Sequence, residues 1–349
     1  MNRKIYTDLH FLSLLFILLP VLLLTGCKSN MRKVSDESAY ITDSSFLLNT
    51  LVTITIYDKQ EEAILEGCFD LVEKYEKIYS RTDSTSELYA LNHGTAPHNG
   101  LNYQISNELS KIIEYGLYYS ELSKGAFDIS IAPITSLWDF TSSAPTVPSE
   151  EEINHALTYV GYKSIQLNEN EVTFQKEGVA IDLGAIAKGY IADKVKEYLI
   201  ACGVKSAMIN LGGNVLCVGA KPDGSPFKVG VQQPFADRNE TLAIMEITDY
   251  SVVSSGIYER SFTLGDVFYH HIMNPKTGYP YDNDLVAVTI YSKASVDGDG
   301  LSTTSFALGL EEGLALIQSI PNTYAIFITK DDKIHYSKGF HDAINVIEE

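Results

Sequence analysis

Apolar side chains return along this chain in two rhythms. Leu51-Val52-Thr53-Ile54-Thr55-Ile56-Tyr57 is rich in β-branched residues and alternates, which predicts a strand. From Glu61 to Tyr79, the apolar positions Ile64, Cys68, Leu71, Val72, Tyr75 and Ile78 recur at helical spacing. Asn107 to Ser123 repeats that rhythm with Leu109, Ile112, Ile113 and Leu117. Pro148-Ser149-Glu150-Glu151 reads as a loop passing into a helix start. Beyond it, a short strand is expected over Val179–Asp182 and a helix over Lys188–Ala201, with Ile191, Val195, Tyr198 and Leu199 on one face. Ala207–Leu211 reads as a strand running into Gly212-Gly213. Leu285–Tyr291 and Tyr324–Thr329 are further strands, with a helix over Leu301–Leu310 between them. Repeats and low-complexity segments are absent. Strands and helices mixed without strict β-α-β alternation predict an α+β fold.

The N-terminus has a different pattern. Arg3 and Lys4 precede Phe11–Leu24, a nearly unbroken apolar run. The run is too short to cross about 30 Å of hydrocarbon comfortably, and it fits the core of a secretory signal. It ends in Leu24-Thr25-Gly26-Cys27, which looks like a lipoprotein box. Small residues there admit the peptidase, and the Cys27 thiol takes the lipid, such as palmitate. An ordinary signal or an anchor helix with a chance Cys is the alternative. The expected organisation is a signal peptide over 1–26, a polar tether over 27–45, and a catalytic unit over 46–349. The expected location is extracytoplasmic, held to the cell membrane at about 0.8 kcal/mol per buried acyl CH₂.

Removing residues 1–26 leaves 349 − 26 = 323 residues, ample for a large core. The removed segment carries Arg3, Lys4 and Asp8, so the net charge moves from −19 to −20. Such an acidic chain argues against nucleic-acid binding through bulk charge. With Cys27 acylated, Cys68, Cys202 and Cys217 remain, without disulfide or zinc spacing.

Three segments could carry chemistry. In Asp182-Leu183-Gly184-Ala185-Ile186-Ala187-Lys188-Gly189, an acidic residue and small residues lead into a helix with Lys188 in its first turn. A helix start offers free N–H groups and the positive end of its dipole to a phosphate, and an anion would explain a cation there. A tight turn chosen for packing explains the same residues. In Asp297-Gly298-Asp299-Gly300-Leu301-Ser302-Thr303, Asp299 and Thr303 share a helix face and form a hard oxygen pair suited to Mg²⁺. Equally, Asp297 or Asp299 could cap the helix. In His270-His271-Ile272-Met273-Asn274-Pro275-Lys276-Thr277-Gly278, one His could act as a base, and the Lys276 turn offers a second anion site. Gly125-Ala126-Phe127-Asp128 and Ser254-Ser255-Gly256 add small residues beside polar ones.

In order, these segments resemble the ApbE family of FAD:protein FMN transferases. The likeness takes in Leu48-Asn49-Thr50, Ser80-Arg81-Thr82 through Ser86-Glu87, Gly125 to Asp128, Asp182 to Gly189, Asn210-Leu211-Gly212-Gly213-Asn214, Ser254 to Arg260, His271 to Gly278 and Asp299 to Thr303. It runs from about residue 46 to about 310. Leu48-Asn49 stands for the family's Met-Gly, Thr82 for a common aromatic, and Gly298-Asp299-Gly300 for Ala-Asp-Ala.

The resemblance implies an ApbE-like (T-fold-like) α+β unit of mixed sheets and helices, whole or in two lobes. It implies a Mg²⁺-dependent enzyme with FAD as substrate. FAD is cut at its pyrophosphate, FMN passes to a Thr or Ser hydroxyl of an acceptor flavoprotein as a phosphodiester, and AMP leaves. Asp299, Thr303 and the Ala185 carbonyl would hold the metal. Leu48, Thr82, Ala126, Phe127, Asp128, Asp182, Lys188, Ser255 and Ile272 would meet the FAD. His271 would assist proton removal from the acceptor, a task Asp299 could share. Hydrolysis of FAD to FMN and AMP would use the same site, and a lipoprotein binding flavin without turnover is the third reading.

Overall fold

A computed structural model describes residues 40–236 and 240–347. The chain divides into Met1–Ser38 and Ala39–Glu349. The expected signal, Cys27 and most of the tether lie outside the described residues. Everything below concerns the second unit.

Its frame is an eight-stranded, wholly antiparallel sheet. The strands run in the order Ile41–Leu47, Thr50–Ile56, Ala207–Leu211, Asn214–Val218, Ser251–Gly256, Leu285–Ser292, Tyr324–Thr329 and Ile334–Tyr336. Val52, Ile54 and Ile56 point into the core, while Thr53 and Thr55 face the other way. Their hydroxyls bond across to Ser44 at 2.8 Å and Thr42 at 2.9 Å on the edge strand. The last residues of the expected tether, 41–45, therefore belong to the sheet. Their Ser and Thr content is the polar face of an edge strand. Three smaller antiparallel sheets complete the unit: one of four strands, one of three, and the Ser261–Leu264/Val267–His270 hairpin.

Three helices cover the sheet: Glu62–Tyr79, Ala187–Ala201 and Ser295–Leu308. The first is amphipathic and buries Ile64, Leu65, Cys68, Val72, Tyr75 and Tyr79, as its spacing predicted. The expected helix after Pro148 forms over Glu150–Leu157, opened by a capping box between Ser149 and Glu152. The last of the three covering helices, Ser295–Leu308, is buried nearly all round, including Gly298, Asp299, Gly300, Ser302 and Thr304. A Cβ on Gly300 would come within 2.3 Å of the Tyr119 ring, so the small residues are what let this central helix sit so deep.

Three expectations need correction. The central helix starts at Ser295, six residues before the expected Leu301. It stops at Leu308, because Gly309 takes φ 81° and Leu310 opens the next helix. Val179–Asp182 forms no strand, and its backbone partners are the Asn92 side-chain amide, at 2.8 Å each way with Ile181, and the Ile129 carbonyl. Finally, neither Asp297 nor Asp299 caps the central helix. Its first N–H groups, those of Ser295 and Val296, donate to the two carboxylate oxygens of Asp193 at 2.8 and 2.9 Å. One main core fills the unit, with a satellite cluster around Trp138, Ile134, Ile153 and Met273.

Candidate active site

Asp299 lies in the second turn of the central helix, buried, with two neutral donors. The Gly189 backbone N–H donates to Oδ2 at 2.5 Å, and Asn214 Nδ2 donates to Oδ1 at 3.0 Å. Burial pushes the carboxyl up from its ordinary range, against the pull of Lys188 and these two donors. A buried carboxylate without an ion-paired cation is costly unless a cation joins it. Thr303, one turn on, shares the face, and its Oγ1 lies 3.3 Å from Ser255 Oγ. Ser255 also bonds Ser302 at 2.8 Å, and Ser302 Oγ donates to the Asp299 carbonyl at 3.0 Å.

The start of the Ala187–Ala201 helix is tied to the central helix. With Ile186 as N-cap, Gly189 is the third residue of the helix, and its N–H has no partner within the helix. It donates to Asp299, and among the described residues no backbone N–H donates to the Ala185 carbonyl, which lies ahead of the helix. Gly189 can approach only because it lacks a side chain: a Cβ would lie 2.2 Å from the Ser295 carbonyl oxygen. Of the other donors in this turn, Gly184 N–H is taken by Asp182, and those of Ile186 and Ala187 by the Leu183 carbonyl. Among the described residues the N–H groups of Ala185 and Lys188 have no acceptor and are left for an anion, fewer than an open helix start would offer. Lys188 is half-buried and lowers the proton affinity of both Asp299 and His271, so its charge is within electrostatic reach of both.

His271 follows the hairpin. Its backbone N–H and Nδ1 both meet the Arg260 carbonyl, at 3.1 and 3.3 Å. A carbonyl only accepts, so Nδ1 carries the proton and Nε2 keeps a lone pair. Burial, with Arg260, His270 and Lys188 nearby, holds its pKa down to about 4. His270 is also held near 4, chiefly by burial; it donates from Nε2 to the Tyr281 carbonyl at 2.9 Å and accepts the Ile272 N–H at Nδ1. Ile272 is buried beside it. The second expected anion turn is closed: the N–H groups of Lys276, Thr277 and Gly278 are all bonded to Asn274.

The remaining expected residues sit around this centre without hydrogen bonds to it. Asp182 accepts from Gly184 N–H, from Thr135 Oγ1 at 2.7 Å, and from Arg81 Nε at 2.9 Å. Thr82 is exposed next to that ion pair. Arg81 also lines a cleft of about 170 Å³ with Asn92, Pro133 and Ala180. Asp128 caps the turn that follows it: Ser130 N–H, Ser130 Oγ and Tyr162 N–H occupy its carboxylate. Phe127 is buried, and the Ala126 carbonyl accepts the Tyr281 hydroxyl at 2.8 Å. Ala126 and Tyr281 line a second cavity of about 450 Å³. Leu48 and Asn49 form the turn of the first hairpin at φ 54° and 56°, a left-handed conformation that Asn bears more readily than Leu. The Leu48 N–H is held by Glu76 Oε1 at 2.9 Å.

The sequence profile of the ApbE family matches residues 48–328. The chain belongs to the ApbE family. Among curated ApbE-family relatives, the FAD:protein FMN transferase of Klebsiella pneumoniae is 34% identical over 303 residues, 86% of this chain and 92% of that one. That of Treponema pallidum is 32% identical over 326 residues, 87% and 89% of the two chains. The solved flavin transferase ApbE of Vibrio cholerae superposes with TM-score 0.77 at 26% identity, covering 87% of this chain and 98% of that one. The ApbE protein of Thermotoga maritima gives 0.78 at 29%, covering 86% and 98%. The α+β expectation thus holds, and the chain is a transferase of this family.

Sequence reasoning missed three partners within the ApbE-type site. Gly189 and Asn214 hold Asp299, and Arg81 pairs with Asp182. Asn214 had a signal, since a polar residue directly after Gly212-Gly213 opens a strand whose other residues are apolar. Arg81 lies within the Ser80-Arg81-Thr82 segment of the resemblance, but nothing local pointed to its pairing with the distant Asp182.

Proposed function

We propose that this chain is a Mg²⁺-dependent FAD:protein FMN transferase anchored outside the cytoplasm by a lipid on Cys27. One observation supports the metal reading most: the Asp299 carboxylate is buried and held by two neutral donors, Gly189 N–H and Asn214 Nδ2, with no ion pair to it among the described residues. With it stand the Ala185 carbonyl, which accepts from no backbone N–H among the described residues, and the Thr303 hydroxyl. These are hard oxygen donors, and they fit Mg²⁺. Among the described residues no cluster of three His, Cys, Asp or Glu offers a softer-metal site. When bound, Mg²⁺ would neutralise charge on the pyrophosphate as its bridge is broken.

The protein's own residues supply the rest. Lys188 and the two unused N–H groups at the helix start would bind phosphate oxygens. His271, neutral with its Nε2 lone pair free, would take the acceptor proton as the hydroxyl oxygen attacks the FMN phosphorus and AMP leaves. Asp182, held by Arg81 and Thr135, would orient the nucleotide, and the backbone around Ala126 and Phe127 would shape its pocket. Asp128 would act by holding that backbone, its carboxylate being occupied. Leu48, Thr82, Ser255 and Ile272 would border the flavin and phosphate side.

The test is incubation of the protein with FAD, Mg²⁺ and an acceptor domain, followed by intact-mass spectrometry. The expected result is an acceptor heavier by one FMN unit, with AMP released, and neither product with Asp299→Ala. AMP release at the same rate without acceptor would make the activity a pyrophosphatase. FAD bound but left intact would make the chain a flavin-binding lipoprotein. For the anchor, Cys27→Ala should move the protein from the membrane to the soluble fraction. No helix among the described residues is long and apolar enough to cross a membrane.

A further inference from the structure

The Asn214 amide could face Asp299 either way round, because its two ends have almost the same shape. Only the NH₂ end suits a carboxylate. The structure contains a device that selects it. Asn214 Oδ1 accepts from Ser295 Oγ at 2.7 Å, and Ser295 Oγ accepts from Ser251 Oγ at 2.9 Å. Asn214, Ser295 and Ser251 are buried to within 1% of full exclusion from solvent, so water cannot substitute. The three come from separate elements: Asn214 opens one strand, Ser251 opens the next strand of the sheet, and Ser295 opens the central helix. Each hydroxyl has one proton, so the row has a direction. Pointing toward Asn214, it places the amide oxygen on Ser295 and the NH₂ on Asp299. Reversed, Ser251 would donate to the Val215 carbonyl, 3.1 Å away, and the amide oxygen would face the carboxylate.

We propose that Asn214 is a positioning residue for the metal-binding carboxylate, with its orientation set by Ser295 and Ser251. It holds Asp299 Oδ1 from one side while Gly189 holds Oδ2, leaving the outward lone pairs for the cation. Partners behind a metal ligand typically change affinity by about 10–100-fold. The inference rests on the reading that Asp299 binds a divalent cation.

The test uses Mn²⁺ alone, titrated onto the full protein and followed by the electron paramagnetic resonance signal of the free ion, without FAD or acceptor. Asn214→Leu, of similar size but without a donor, should weaken Mn²⁺ binding about 10–100-fold. Ser295→Ala, which removes only the orienting hydroxyl, should weaken it several-fold. A purely structural role would lower the melting temperature of both variants and leave Mn²⁺ affinity alone. If Asp299→Ala abolishes binding while folded Asn214→Leu and Ser295→Ala bind like the parent, the inference falls and the metal reading stands. Unchanged binding in Asp299→Ala overturns both. Should Asn214→Leu fail to fold, Ser295→Ala decides alone.

Discussion

Replacing Gly189 by Ala sets two physical effects against each other. Helix propensity favours Ala over Gly by about 1 kcal/mol, so an ordinary helical site would gain stability. Here the added Cβ would meet Ser295 O at 2.2 Å, Ser295 C at 2.6 Å and Val296 Cα at 2.8 Å. All three are backbone atoms, so no rotamer change relieves them. Ordinary carbon contacts lie near 3.5 Å or beyond, so the two helices must part by about 1 Å. Overpacking of that kind costs about 1–3 kcal/mol. The parting also stretches the N–H bond to Asp299, a charged hydrogen bond contributing about 1.5–3 kcal/mol. Net of propensity, the variant should lose about 2–5 kcal/mol, a melting temperature lower by roughly 4–10 °C. Thermal unfolding followed by circular dichroism measures it, and the same samples should bind Mn²⁺ more weakly. A variant as stable as the parent, or more so, would refute the packing argument.

Three further outcomes are expected. Asp299→Asn should fold about as stably as the parent, because it removes a charge that burial disfavours; transfer activity should vanish. His270 should make the fold acid-sensitive. Its pKa is about 4 in the fold against 6.5 ordinarily, so its contribution is full above pH 6.5 and is lost as pH falls toward 4. By pH 4.5 its share of the loss is about 2–3 kcal/mol, and His270→Gln should shrink the acid shift of the urea midpoint by that share while His271 keeps its own. Arg81→Met should raise the KM for FAD several-fold while leaving Mn²⁺ affinity unchanged, because it frees Asp182 without touching Asp299.

Where one face of an element is wet, the sequence announced it well. The alternation in Val52, Ile54 and Ile56 and the spacing in Ile64, Cys68, Val72 and Tyr75 each mapped onto a buried face. The central helix announced itself badly, because it is buried all round and has no polar face to set a period. Its cap, Asp193, lies on another helix, beyond any local signal. The misread strand at Val179–Asp182 has a similar cause. Val179, Ile181 and Leu183 are buried in alternation as a strand would be, but the backbone partner is a side chain, that of Asn92. Asp299 and Thr303 were readable as a helical pair, whereas the bond from Gly189 to Asp299, 110 residues on, is visible only in three dimensions.

The register of the main sheet also fixes an order of assembly. Val52 to Ile56 pair with Leu211 to Ala207, so neighbouring strands are separated by residues 57–206 of the chain. Until synthesis has passed Leu211, the second strand has the edge strand on one side and nothing on the other. Val52, Ile54 and Ile56 then have only part of the core to cover them. Closing so long a loop delays the pairing but adds little to its equilibrium cost, since closure entropy grows only with the logarithm of length. The N-terminal half is therefore not a separable module. A fragment ending before residue 207 would carry an open, β-branched strand edge of the kind that recruits other chains.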